Sequence, residues 1–94
     1  MKQADVIIGP EVHRAFEDLI DYVDPSALPD VIDFLDEIEN RLVKTLSTAP
    51  EGGTPFQERL RSFTIRGYTF LYEYQADTHE VHVHELKGPG QNWR

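Results

Sequence analysis

The side chains best suited to chemistry crowd the last third of the chain. His79, His82 and His84 lie close together, and Arg59, Arg61, Arg66, Lys87 and Arg94 flank them. His82 and His84 are two apart, and on a β-strand that spacing puts both imidazoles on one face. Such a pair can ligate a transition metal or work as a general acid–base pair. His79 and Glu80 stand nearby, but neither supplies a third ligand at a diagnostic spacing. The expectation is a polar sheet face with ordinary histidines, no metal and no cofactor.

The arginines have their own logic. A guanidinium grips phosphate or carboxylate through two parallel hydrogen bonds. Strand alternation puts Arg59 and Arg61 on the face of Phe63 and Ile65, with Arg66 on the opposite one. They therefore make no simple patch. The plain reading is surface arginines bridging to helix acids, each worth little. The functional reading is contact with phosphate or an acidic protein. Tyr72 and Tyr74 could stack bases, but they share core spacing with Phe70 and are expected to pack inside. Trp93 is expected to tuck against the domain or meet a partner. Gly52-Gly53-Thr54 is no phosphate loop, because no lysine follows and no helix opens there. The many helix carboxylates sit on a solvent face, which argues against paired-carboxylate hydrolysis.

The elements that must position these groups can be read along the chain. Asp5 to Ile8 is a short apolar run ended by Gly9-Pro10, which predicts a first strand. Val12, Phe16, Leu19, Ile20 and Val23 form one stripe of a helix from about Glu11 to Val23, and Asp24-Pro25 stops it. Pro25 to Pro29 connects. Val31, Leu35, Ile38, Leu42 and Leu46 form a second stripe, predicting a helix from about Pro29 to Leu46 or Ser47. Its acids lie early and Arg41 and Lys44 late, which suits the helix dipole. Ala49 to Phe56 reads as a loop. Strands follow at about Arg59 to Arg66, Tyr68 to Gln75 and Glu80 to Leu86, with Arg66-Gly67 as a tight hairpin turn. Strict alternation places Val81, Val83 and Glu85 on one face of the last strand and His82, His84 and Leu86 on the other. The expected fold is α+β: an N-terminal strand and a two-helix hairpin packed on a small, mostly antiparallel four-stranded sheet, in the order β-α-α-β-β-β.

The totals set limits. Ninety-four residues are expected to form one domain, residues 1–94, with a core of modest size. There are no cysteines, so neither disulfides nor thiolate metal sites exist. No apolar run approaches a membrane span and no signal-peptide core is present, so a soluble cytoplasmic protein is expected. The formal charge is −8. Residues 10–50 carry ten acids against Arg14, Arg41 and Lys44, a net −7, while residues 57–94 are balanced at five of each sign. The total of −8 argues against direct nucleic-acid binding, which rests on neutralising phosphates. The acidic helices are either a solvated surface or a face for a basic partner.

Gly67-Tyr68-Thr69-Phe70-Leu71-Tyr72, the ending Leu86-Lys87-Gly88 with Gln91-Asn92-Trp93-Arg94, and the element order together resemble the ParE/RelE toxin superfamily of type II toxin–antitoxin pairs. The resemblance covers essentially the whole chain. It implies a cognate antitoxin as partner, with a homodimer or a heterotetramer with that antitoxin as assembly states. RelE-like members cut mRNA on the ribosome with basic residues and a terminal tyrosine or histidine. ParE-like members inhibit DNA gyrase and lack that set. Thr69 stands where the nucleases commonly have arginine, and Pro89 and Gly90 where they have basic residues. The expectation is therefore a ParE-like binding protein, more a binder than an enzyme, with Arg59, Arg61, Arg66, Lys87, Trp93 and Arg94 as partner contacts and gyrase as a candidate target. The alternative is a RelE-like endoribonuclease using Arg61, Arg66, His82, His84 and Lys87. A further alternative is a non-toxic, partner-binding relative of the fold.

Overall fold

The computed structural model describes residues 2–89. Strand β1 (Asp5–Ile8) leads into helix α1 (Pro10–Asp21), a 3₁₀ turn (Pro25–Ala27) and helix α2 (Leu28–Thr48). Strands β2 (Thr54–Pro55), β3 (Leu60–Ile65), β4 (Tyr68–Gln75) and β5 (Glu80–Lys87) follow. The five strands form one sheet in the order β1-β5-β4-β3-β2. Only β1 runs parallel to its neighbour, pairing Asp5 with Glu80 and Ile8 with Val83. The class and element order are as the sequence pattern predicts. The count of four strands is corrected to five, because Thr54 and Pro55 inside the expected loop pair with Ser62 and Arg61.

Local chemistry explains the boundaries. Pro10 lies in the first turn of α1, where a missing N–H costs nothing. The linker is more ordered than a bare connection. The Ser26 backbone N–H and hydroxyl both donate to Asp24 Oδ1, holding that carboxyl below its ordinary 3.8. Arg66 and Gly67 make the β3–β4 turn with φ of 51° and 86°. Two consecutive positive φ values match the twist of a tight hairpin, and glycine takes the second without strain. Arg66 is thus a turn residue rather than the last residue of a strand.

One sheet face is the core. Phe70 and Tyr72 on central β4 and Val81 and Val83 on β5 are essentially sealed from solvent. Ile38, Leu42 and Leu46 of α2 and Val12 of α1 close over them. Each such side chain contributes roughly 1.5–3 kcal/mol through burial. Between Leu71 and Tyr72 the β4–β5 register shifts, so that Leu71 faces Glu85 but Tyr72 faces Val83. His84 is the extra residue of this β-bulge. The bulge overturns the strict alternation expected for the last strand. Leu86 pairs with Phe70 and packs on the core, while Glu85 shares the opposite face with Leu71.

Leu42→Ala should lower unfolding free energy by about 2–5 kcal/mol. Ile32→Ala, at a site 40% exposed on the same helix, should cost less than about 1 kcal/mol. Urea denaturation of both proteins checks the pair, and equal losses would contradict the assignment of the α2 faces.

Candidate functional site

The sheet face away from the helices carries the groups with chemical potential. Antiparallel pairing sets Glu73 of β4 opposite His82 of β5. His84, two residues on, lies on the same side, and the bulge there keeps Glu85 on it as well. The two imidazoles lie nearly parallel, with centroids 6.4 Å apart. Each has its own carboxylate: His82 Nε2 is 3.1 Å from Glu80 Oε1, and His84 Nε2 is 3.6 Å from Glu73 Oε1. Thr78 Oγ1 donates to Glu80 at 3.2 Å. Arg59 reaches Glu73 at 4.0 Å, at the limit of an ion pair, and is itself almost fully exposed. Thr64 and Thr69 hydroxyls meet at 3.0 Å on the adjoining part of the face. A carboxylate beside an imidazole orients the ring, and an oriented imidazole can pass protons to a bound group. Among the described residues, no group of three or more histidines and carboxylates is placed to hold a metal ion.

His79 is not part of this cluster. It sits at the β4–β5 turn with φ of 56°. Its Nε2 lies 2.9 Å from the Lys2 carbonyl and its Nδ1 2.8 Å from the Tyr74 hydroxyl. A carbonyl can only accept, so Nε2 carries the proton and the Tyr74 hydroxyl donates to Nδ1. His79 therefore ties the N-terminal segment to the turn. Nothing in the local sequence signals that partner, which lies at the other end of the chain.

The arginines divide between several tasks. Arg61 turns its guanidinium toward the loop after α2, donating to the carbonyls of Glu51 and Gly53 at 3.1 and 3.0 Å. The Gly53 N–H donates to the Tyr72 hydroxyl at 2.8 Å. A Cβ on Gly53 would stand 2.5 Å from that hydroxyl, so glycine is required for the approach. Burial raises the Tyr72 hydroxyl above its ordinary 10.0; the Gly53 N–H and Arg61 oppose the shift. Arg66 lies over the Phe34 ring at 5.2 Å and pairs with Glu37 at 3.3 Å, fastening the β3–β4 turn to α2. Phe34 in turn meets Tyr68 edge-on. Arg61 and Arg66 thus work on the helical side of the sheet, while His82 and His84 occupy the other. The structure brings the two histidines together and does not bring these two arginines to them. Lys87 lies at the end of β5 opposite Thr69. Trp93, Arg94 and Gly90 lie outside the described residues.

The fold can be set beside known structures. The chain matches a chain of the toxin–antitoxin complex RelBE2 of Mycobacterium tuberculosis with a TM-score of 0.64, at 18% identity, over 97% of each chain. It matches the isolated RelE toxin of E. coli with a TM-score of 0.59, at 11% identity, over 95% of this chain and 87% of that one. The fold is that of the RelE toxins. A chain of the intact E. coli RelBE toxin–antitoxin complex matches at 0.57, again at 11% identity, over 95% of this chain and 99% of that one. No protein-family model and no curated protein sequence matches the chain. The RelE fold here keeps its sheet and helices while its open face carries paired histidines and carboxylates.

Tyr72→Phe removes the acceptor of the Gly53 N–H and should cost about 1 kcal/mol. Because the folded hydroxyl titrates above the unfolded one, the folded chain holds that proton longer. Its stabilising contribution is complete below pH 10.0 and is lost as pH rises through the higher folded value. The stability difference between wild type and Tyr72→Phe should therefore shrink above that pH, as measured by denaturation at a series of alkaline pH values.

Proposed function

We propose that this chain is the toxin component of a type II toxin–antitoxin pair, ParE-like in acting through protein binding. Its cognate antitoxin neutralises it, and DNA gyrase is the candidate target. Support for the toxin role comes from the fold, whose solved examples include RelE and RelBE toxin–antitoxin proteins. One observation carries the choice of binding over cleavage. On the open sheet face both histidines face carboxylates, Arg61 and Arg66 are bound elsewhere, and the exposed Arg59 reaches Glu73. Cleavage of RNA needs cations at the developing phosphorane charge. Glu73, Glu80 and Glu85 on or beside this face oppose an approaching phosphate instead. The contacts proposed for protein partners are Arg59, Lys87, Trp93 and Arg94, with Arg61 and Arg66 acting through the loop and turn they hold.

A second reading, ribosome-dependent mRNA cleavage in the RelE manner, is favoured by the His82–His84 pair. Stacked imidazoles beside Glu73 and Glu80 have the composition of an acid–base site.

Induced expression with and without the neighbouring reading frame tests the toxin role. Growth arrest relieved by the neighbour is expected, and harmless expression of the chain alone would sink both readings. A gyrase supercoiling assay beside cell-free translation then separates them. Inhibited supercoiling with intact mRNA is expected. If mRNA is cut instead, and His82→Ala with His84→Ala abolishes the cutting, the second reading replaces the first.

A further inference from the structure

β1 ends at Ile8, opposite Val83, and the chain turns into α1. From Glu85 onward, on the side away from β4, β5 therefore has α1 beside it and no strand among the described residues. A groove opens between them. Its larger part, about 450 Å³, is lined by Ala15, Leu19 and Leu86, with Asp18, Tyr22 and Lys87 around them. A smaller part, about 200 Å³, continues past Glu11, Arg14 and Glu85 and shares Ala15, Asp18 and Leu86. The β5 bulge builds this groove, because it is the bulge that turns Leu86 to the helical side. Glu11, Ala15, Asp18 and Tyr22 recur at three- and four-residue steps, so the groove follows one face of α1 for its whole length, about 16 Å at 1.5 Å per residue.

The chemistry of its rim selects an occupant. Glu11 and Arg14 pair at 3.5 Å and cancel. Among the described residues, Asp18 and Glu85 have no ion-pair or side-chain hydrogen-bond partner. Lys87 also lines the rim. Tyr22 closes the far end and is 91% exposed, the most exposed large apolar side chain among the described residues. An exposed aromatic face beside an unpaired carboxylate suits a guanidinium or ammonium, which gains from the ring and from the acid together. The apolar floor suits aliphatic side chains or the stems of long cations. The helical segment 10–50 around it carries −7, which draws a basic segment and repels an acidic one.

We infer that the α1–β5 groove docks a basic amphipathic segment of a partner protein, its apolar side on Leu19 and Leu86 and an arginine or lysine set between Asp18 and Tyr22. This deepens the partner-binding reading above by giving the partner's chemistry, and it rests on that reading for the partner's role.

Two synthetic peptides test it. Both are about twelve residues long, roughly the span of α1, with leucines at helical spacing. One carries arginine and lysine at its polar positions, the other glutamate. Each is titrated into the intact chain by isothermal calorimetry and by two-dimensional NMR. The basic peptide should bind at least ~10-fold more tightly and weaken as salt rises. It should shift the amide signals of Ala15, Leu19 and Leu86. Asp18→Lys and Tyr22→Ala should each weaken it several-fold, while Asp36→Lys on the outer face of α2 should change it less than about twofold. Because Tyr22 is exposed, its variant keeps the fold. The inference is overturned if neither peptide binds at millimolar concentration, if the acidic peptide binds as well, or if Asp36→Lys weakens binding as much as Asp18→Lys. Peptide binding is read without reference to growth arrest, so its failure and the failure of the toxin reading are separate results.

Discussion

The burial of Phe70 and Tyr72 beneath α2 is the contact on which the rest depends. Both side chains belong to the central strand, and both are closed over by a helix whose stripe of Ile38, Leu42 and Leu46 is equally dry. A small chain has few ways to stabilise itself beyond one such layer. Tyr72 does more than fill space, because its hydroxyl also receives the Gly53 N–H. The same residue thereby joins the apolar core to the loop after α2. Arg61 reinforces that junction from the next strand. On the other end of the sheet, Arg66 and Phe34 fix the β3–β4 turn to α2. Arg66 is a surface arginine bridging to a helix acid, as the sequence reading expects, whereas Arg61 binds loop carbonyls instead.

Much of the fold was legible because periodicity reports burial directly. The α2 stripe and the tyrosine side of β4 needed only spacing to be recognised. The Arg66-Gly67 turn was legible for another reason, since few dipeptides tolerate two positive φ values. What escaped were features set by distant partners. The pairing of Thr54 and Pro55 depends on where β3 lies, and two residues carry no period. The bulge at His84 is a register effect between strands, so alternation along β5 alone assigned Glu85 and Leu86 to the wrong faces. The site was less legible than the fold. His82 and His84 were found by spacing, and Glu80 lies two residues from His82 on the same strand, but Glu73 beside His84 required the β4–β5 register. His79 was grouped with them by proximity in sequence, yet its ring belongs to the N-terminal segment.

The two faces of the sheet also divide the charge. The helical face is built on an acidic hairpin, and the open face mixes imidazole with carboxylate. Neither presents the concentrated positive field that a polyanion requires. A protein surface with an apolar floor and scattered ions is a different kind of target. It recognises a partner by shape and by a few fixed charges, and it discriminates through the groups it repels. The RelE fold accommodates this because its scaffold is set by the core face, leaving the remaining surface free to differ.

Among the described residues, the parallel pairing of β1 with β5 joins the first strand to the last. Every other strand pair is a neighbour in sequence and closes a short loop. This one must close nearly the whole chain, an entropic cost that local hairpins do not bear. During synthesis the helical hairpin and the β3–β4 hairpin can form as soon as they emerge. β1 has no seat until β5 has been made. The α1–β5 groove shares that timing, since its floor, Leu86, is near the end of the last strand. The proposed docking groove therefore forms only after β5 has been made.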